Sequence, residues 1–548
     1  MTTTSAPPTN SDDGPDAGAA PAVDRLLLGL TALSVGVGLV LRFLPRSGMW
    51  LDEALTTNIS ELPMGEIGDA LRRDGHPPLF YWLLHLWSSF GDSDWWLRAL
   101  PGVFSVLTLP LSYLAGRRLA GRTGASGLGV HRTGLLALAV TSLMPFGIRF
   151  AAEARMYSLV MLLVFAGYLV VDDLLEGRRG TEPRRLAPTA VAAAALAGAL
   201  LWTHYWSMWL LGAVGLLALW RAWKEQDAAR RAGARALVVG LVGGGVLFLP
   251  WVPDLLYQTQ HTGTPWGKLF GPASVAVITL VDFAGAEFGI AQLLSYLLVV
   301  LAVLAAVAVF EGPRKVVLGA HLAPRVRNEV LVLATTMALG WATSYASGNT
   351  FSSRYASVVY PLFLLCVAAG LATLRSRRVT LVVLAAVLVA CTWGSISTVI
   401  FDRSQTDAVV DGFERDLAAH DVEDFVVVSC PDQLGVATQR QLDRMVDRDV
   451  RVVPYPTAGD PRFVDWVDYG ERNQASDPAA FLQQLSDRLT PSTTVYLVGS
   501  FQYRTFEGKC EGLFNQLAAR GGAVEQLVEQ DNDHHDEIAN LWAIRPPA

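Results

Sequence analysis

Residues 49–78 read MWLDEALTTNISELPMGEIGDALRRDGHPP. An acidic pair, Asp52–Glu53, stands just beyond the first long apolar segment, and His76-Pro77-Pro78 leads into an aromatic run. Ionisable side chains beside hydrocarbon are costly to place and point to function by default. The following stretch, LFYWLLHLWSSF (79–90), either crosses the bilayer or returns along its surface, and that choice sets the topology of everything downstream.

Charge makes the choice. Apolar segments of about 17–22 residues, long enough for the ~30 Å hydrocarbon core, recur at 26–44, 99–115, 134–150, 156–172, 189–204, 206–220, 236–252, 290–310, 329–345, 356–373 and 379–399. Alternate loops are basic: Arg117, Arg118, Arg122 and Arg132, then the groups around Arg178, Arg230, Arg314 and Arg375. By the positive-inside rule these loops and the N-terminus are cytoplasmic. Only the first segment disagrees, with Arg42 and Arg46 at its outer end. A crossing at 79–90 would reverse every later loop, and twelve helical residues span only ~18 Å. Tyr81, His85 and Ser88 share one helical face, so 79–90 reads as an interfacial helix with tryptophans at headgroup level.

Composition agrees: 52% of the 548 residues are hydrophobic and 17% charged, little charge for a soluble chain of this size. After residue 400 the character changes. Residues 400–548 carry 26 acidic and 13 basic side chains, net −13, leaving +6 for the rest. The reading is a disordered cytoplasmic tail (1–24), a polytopic α-helical membrane domain of about 11 transmembrane helices (25–400) and an extracytoplasmic soluble α/β domain (401–548). No basic stripe or nucleic-acid motif is present, which argues against nucleic acid as a partner.

This topology gathers the unusual polar residues on one outer face. Asp52, Glu53 and His76 lie there, as do Arg149, Glu153 and Arg155 in a tight turn, and His204–Tyr205 in the next. A long outer segment, 253–289, adds Asp254, Lys268, Asp282 and Glu287, and Arg354–Tyr355 begin the tenth helix. Each has a plainer structural alternative. Asp52–Glu53 suits a helix N-terminus, His76-Pro77-Pro78 stiffens a turn, Glu153 and Arg155 make an ion pair, His204–Tyr205 anchors at the interface, and Arg354 meets ordinary headgroups.

In this order the residues resemble the GT-C membrane glycosyltransferases, particularly the protein-mannosyltransferase-like and aminoarabinose-transferase-like branch. The likeness is carried by Leu51-Asp52-Glu53, Gly75-His76-Pro77-Pro78-Leu79 with Tyr81-Trp82, Phe90-Gly91 with Arg98, Glu153-Ala154-Arg155-Met156-Tyr157 and Arg354-Tyr355, over roughly residues 26–400. The resemblance implies transfer of a sugar from a polyprenyl-phosphate donor, usually with inversion, to a glycan, glycolipid or protein acceptor outside the cytoplasm. Asp52 matches the catalytic position, with Glu53 and Glu153 as further carboxylates. A base must lie within reach of the acceptor hydroxyl, and the lipid phosphate needs preplaced donors: Arg354, Tyr355, His204, Arg155, Lys268 and His76. Tyr81, His85 and Tyr205 are acceptor-side or interfacial residues. No cofactor is required by this reading, and a divalent cation is left open. The competing reading is a transporter or flippase for a lipid-linked substrate. Against it, the charges collect at one face and no internal repeat is evident.

Cys366 and Cys391 fall inside apolar helices, whereas Cys430 and Cys510 lie in the oxidising outer domain, where pairing is expected. Closing that ~80-residue loop stabilises by about 4–5 kcal/mol in the chain-entropy model. Strand-like runs at Phe425–Ser429, Val450–Pro454, Thr494–Val498 and Leu541–Ile544, with helical patterns at 408–420 and 478–488, predict a small α/β sandwich. Asp531, Asp533, His534, His535, Asp536 and Glu537 read as a solvated acidic loop in preference to a metal site.

Overall fold

The computed structural model describes residues 20–44, 47–122, 128–264, 267, 269–285, 289–311, 315–319, 321–348, 350–374, 376–445, 449–520, 522–532 and 535–547. Among them, eight helices are long and apolar enough to cross a membrane, or nine if the bent pair Gly129–Leu143 and Pro145–Ala151, hinged by 56°, is one span. The chain is a multi-pass membrane protein. Helices occupy all the expected positions, but two differ from simple spans. Ser207–Lys224 runs into Arg221 and Lys224, and Tyr360–Thr373 has 14 residues. The latter is buried from Tyr360 to Leu371 on every side, as a helix apolar all round must be. The first helix begins at Ala20, inside the expected tail, most of which lies outside the described residues.

The discordant charge at the first helix has a packing explanation. Arg42 is 1% exposed. It donates to Ser105 Oγ (2.9 Å) and to the carbonyls of Gly38 (2.8 Å) and Ser142 (2.7 Å). It staples three helices together and is no loop charge, so it should not count in the charge rule; Arg46 lies outside the described residues. At the bundle end away from Asp52, Asp172 takes hydrogen bonds from Arg122 (2.8 Å) and Arg178 (3.0 Å), and Glu329 from Arg122 (2.6 Å) and Tyr168 (3.0 Å). The basic loops are thus tied to helix-end carboxylates.

Three short helices separate the first span from the Asp94–Gly121 helix: Leu51–Glu61, Ile67–Asp74 and Leu79–Ser88. Gly75, at φ +93°, lets the chain reverse after the second, a conformation natural to glycine. The face expected to be polar on 79–88 turns towards its neighbours: Tyr81 donates to Asp74 (3.2 Å) and His85 to the Ser60 carbonyl (2.8 Å). The segment 253–289 is partly helical, at Val252–His261 and Pro272–Phe283. The helix expected to reach 310 stops at Val307, where strand β1 (Ala308–Glu311) pairs antiparallel with β2 (Lys315–Leu318).

Residues 406–544 form a five-stranded sheet with flanking helices. β3 (Phe425–Cys430) lies between β4 (Val452–Pro454) and β5 (Thr494–Gly499), parallel to both; β7 (Asn540–Ile544) runs antiparallel between β5 and β6 (Val524–Val528). A disulfide joins Cys430 at the end of β3 to Cys510. Strand β6, largely exposed and polar in sequence (VEQLV), escaped the alternation pattern.

Candidate active site

The first turn of the Leu51–Glu61 helix carries two carboxylates, Asp52 and Glu53, and aims them at different partners. Asp52 Oδ2 takes a hydrogen bond from Arg354 Nη1 (2.5 Å) and lies 3.7 Å from Arg155 Nη2. Arg155 also donates to Thr56 Oγ1 (2.7 Å) and, through Nη2, to His76 Nε2 (3.2 Å). His76 must then carry its proton on Nδ1, which faces Asp74 Oδ2 at 2.6 Å. This tautomer follows from the hydrogen-bond network. Burial pushes the Asp52 carboxyl up, but the guanidiniums of Arg354 and Arg155 outweigh it and hold the group below its ordinary value. Asp52 is therefore an ionised carboxylate with the rest of its surroundings positive.

Glu53 is engaged otherwise. Arg98 grips it bidentately, at 2.8 and 2.6 Å, and the Ala154 N–H donates to it at 2.7 Å. The same guanidinium reaches the carbonyls of Ser47 (2.6 Å) and Gly48 (3.0 Å). Both side chains are buried. Such a pair fixes the loop before the helix, with both oxygens of Glu53 engaged. Glu153 lines a small polar cavity with Arg98, Arg149 and Arg403. Neither of its oxygens has a hydrogen-bond partner. Burial, the strongest influence, raises its carboxyl above the ordinary value against the pull of Arg149. Two carboxyls whose surroundings push them in opposite directions suit different proton roles.

Around Asp52 and Arg354 the wall is aromatic. His204 packs between Tyr157 and Tyr355, each centroid 5.6 Å away, and Tyr355 stacks on Trp206. His204 Nδ1 accepts from the Trp206 N–H at 3.1 Å. Burial and the neighbouring cations pull its pKa to about 3, so it is neutral and offers a donor at Nε2. The Tyr157 hydroxyl is buried without a partner. Tyr205 is committed elsewhere, to Gln258 and to Trp251 Nε1. Lys268 lies outside the described residues, as do Glu287, Asp533 and His534. The structure thus brings together Asp52, Arg354, Arg155, His76, His204 and Tyr355, and adds Tyr157. It pairs Glu53 with Arg98 and gives Tyr81, His85 and Tyr205 hydrogen bonds to Asp74, Ser60 and Gln258. Two guanidiniums around one carboxylate suit an anion.

One residue of the C-terminal unit also reaches this region. Glu537 Oε2 accepts from the Leu51 N–H at 3.1 Å. Only its acidic run was visible in sequence, with nothing to mark this residue as buried.

No family model matches the chain, and no curated protein matches it in sequence. Among solved structures it resembles ArnT from Cupriavidus metallidurans in the apo state, with a TM-score of 0.55 and 14% identity over 97% of this chain and 100% of that one. The same protein bound to undecaprenyl phosphate gives a TM-score of 0.54 and 14% identity over 95% and 99%. The chain shares the fold of ArnT across nearly its whole length.

Proposed function

We propose that this protein is a glycosyltransferase that moves a sugar from a polyprenyl-phosphate carrier to an acceptor on the outer face of the membrane, with inversion at the anomeric carbon. The observation that carries the reading is the Asp52 carboxylate set between Arg354 and Arg155. It is supported by a fold shared with a protein solved with undecaprenyl phosphate bound. In the reaction, the acceptor hydroxyl attacks the anomeric carbon as Asp52 takes its proton. The bond from that carbon to the phosphate oxygen breaks, and the polyprenyl phosphate leaves. Arg354 binds the phosphate, as guanidinium forks do, with Arg155, the His204 Nε2–H and the Tyr157 hydroxyl as further donors. Lys268 is a further candidate for the phosphate. A metal has no step in this scheme.

The cytoplasmic N-terminus, about 11 crossings and an extracytoplasmic domain from about residue 401 belong to the same proposal, as does an acceptor that is a cell-envelope glycan, glycolipid or protein. The donor sugar, hexose or pentose, is left to experiment. The test is transfer from synthetic polyprenyl-phosphate sugars by the purified protein in liposomes, with mass spectrometry of envelope glycans and glycoproteins in cells with and without it. An unchanged envelope together with no transfer from any such donor refutes the reading.

A further inference from the structure

The Leu51–Glu61 helix is gripped at both ends by the C-terminal unit. At its start, Leu51 N–H donates to Glu537 Oε2. Glu537 is 4% exposed and its Oε1 has no hydrogen-bond partner. Its backbone is fixed, the N–H donating to the Arg403 carbonyl (2.8 Å) and the carbonyl accepting from Gln405 N–H (3.0 Å). At the far end, buried Arg440 of the Asp432–Met445 helix donates to Asn58 Oδ1 (3.1 Å), Glu61 Oε1 (3.3 Å) and Asp94 Oδ1 (3.1 Å). Asn58 Nδ2 returns a hydrogen bond to the Arg462 carbonyl (2.9 Å). Ahead of the helix, Gly48 N–H donates to Asp407 (3.3 Å).

These contacts answer a physical need. The helix has 11 residues, too few to hold its shape unaided. Its opening N–H groups lack intrahelical acceptors, and the residue before it, Trp50, provides no side-chain cap. Glu537 supplies from almost 500 positions away what an Asp or Ser cap usually supplies locally. An ordinary glutamate in such a place is expensive to bury.

We propose that the C-terminal unit is a clamp on the Asp52 helix, with Glu537 and Arg440 as positioning residues that set the Asp52 carboxylate against Arg354 and Arg155. The inference rests on Asp52 being the reacting carboxylate. Misplacing such a group by about 1 Å lowers turnover on the order of 10²-fold.

The test uses the full chain in nanodiscs and the variants Glu537→Ala, Glu537→Gln and Arg440→Ala. Both alanine variants should lose about 10- to 100-fold in kcat with the donor KM changed by no more than about threefold. Hydrogen exchange should quicken across 51–61 and stay unchanged in the Tyr360–Thr373 helix. Glu537→Gln keeps an oxygen to accept from Leu51 N–H, and should stay within about threefold of the parent. Unchanged exchange at 51–61 in both alanine variants overturns the clamp. So does a Glu537→Gln as impaired as Glu537→Ala, since the group would then act through its charge. If the parent protein transfers no sugar, the glycosyltransferase reading fails by itself, while exchange still judges the clamp.

Discussion

Replacing Asp52 with Asn separates the two halves of the proposed chemistry, because the halves should respond with opposite signs. Asn keeps the size of the side chain but is no base. Removing a general base lowers turnover by about 10²–10⁴-fold, or roughly 2.7–5.4 kcal/mol in the barrier. The same change strips Arg354 of its charged partner at 2.5 Å. A charge-assisted hydrogen bond is worth about 1.5–3 kcal/mol. With side chains 27% and 18% exposed, solvent screens part of that, and the Asn carbonyl restores a neutral contact. If about half is released to a competing phosphate, polyprenyl phosphate should bind roughly 3- to 10-fold more tightly. The assay is displacement of a fluorescent polyprenyl phosphate from protein in nanodiscs, paired with single-turnover transfer. Turnover within tenfold of the parent removes Asp52 as the base. Weaker lipid binding alongside lost turnover means that the ion pair is scaffold and that the phosphate sits elsewhere.

Arg354→Ala should weaken donor binding by roughly 1.5–3 kcal/mol, and Arg354→Lys should recover only part because it loses the fork; donor titrations in liposomes decide, and an unchanged donor dependence moves the phosphate site. Arg98→Ala leaves buried Glu53 unpaired and should destabilise the protein by about 3–5 kcal/mol, read as a lower melting temperature, whereas a melt like the parent's makes the pair dispensable. Single cysteines at Asp92 and Thr181 should differ towards an impermeant thiol reagent in intact spheroplasts, the first reacting and the second only after permeabilisation; equal protection makes 79–88 a true crossing. Burial, aided by Asp52 and Asp536 and opposed by Ser404 and the Leu51 N–H, lifts the Glu537 carboxyl to about 8 from an ordinary 4.5. Between those values the folded state holds a proton that the unfolded chain has lost, so stability falls as pH rises through the window. Asp432, lifted by burial to about 6, acts the same way lower down. The expected loss between pH 5 and 8 is on the order of a few kcal/mol, and Glu537→Gln should flatten it; identical pH slopes in thermal melts would remove the effect.

What the sequence disclosed follows the range of the forces involved. Helix positions and the short helix at 79–88 were legible because hydrophobic length and periodicity are local properties, and the bilayer imposes them strictly. Asp52, Arg155, His76 and Arg354 could be grouped because topology alone brings helix ends to one face. Topology cannot say which partner a charge takes once there. Glu53 and Arg98 are 45 positions apart and read as a carboxylate and a cation, yet the fold spends each on the other. Arg42 looked like a topological signal and is a buried link between helices. His204 reads from sequence as a candidate donor to phosphate, and burial holds it neutral, a property of its surroundings and not of its type.

Glu537 marks the far limit of such reading. In sequence it closes an acidic run whose other members are typical of solvated loops, and Asp536 beside it does face Arg403 with its side chain half exposed. One position on, the bridge between Ser404 and Glu537 turns the next side chain inward to Leu51. Nothing local distinguishes the two residues. The difference arises where the chain leaving the last membrane helix pairs with the chain approaching β7, which places the end of the sequence against the start of the Asp52 helix. A C-terminal unit attached merely for binding could vary freely against the bundle. One whose backbone pairing sets the cap of the helix bearing Asp52 is tied to the position of that carboxylate, which is the physical content of the proposed clamp.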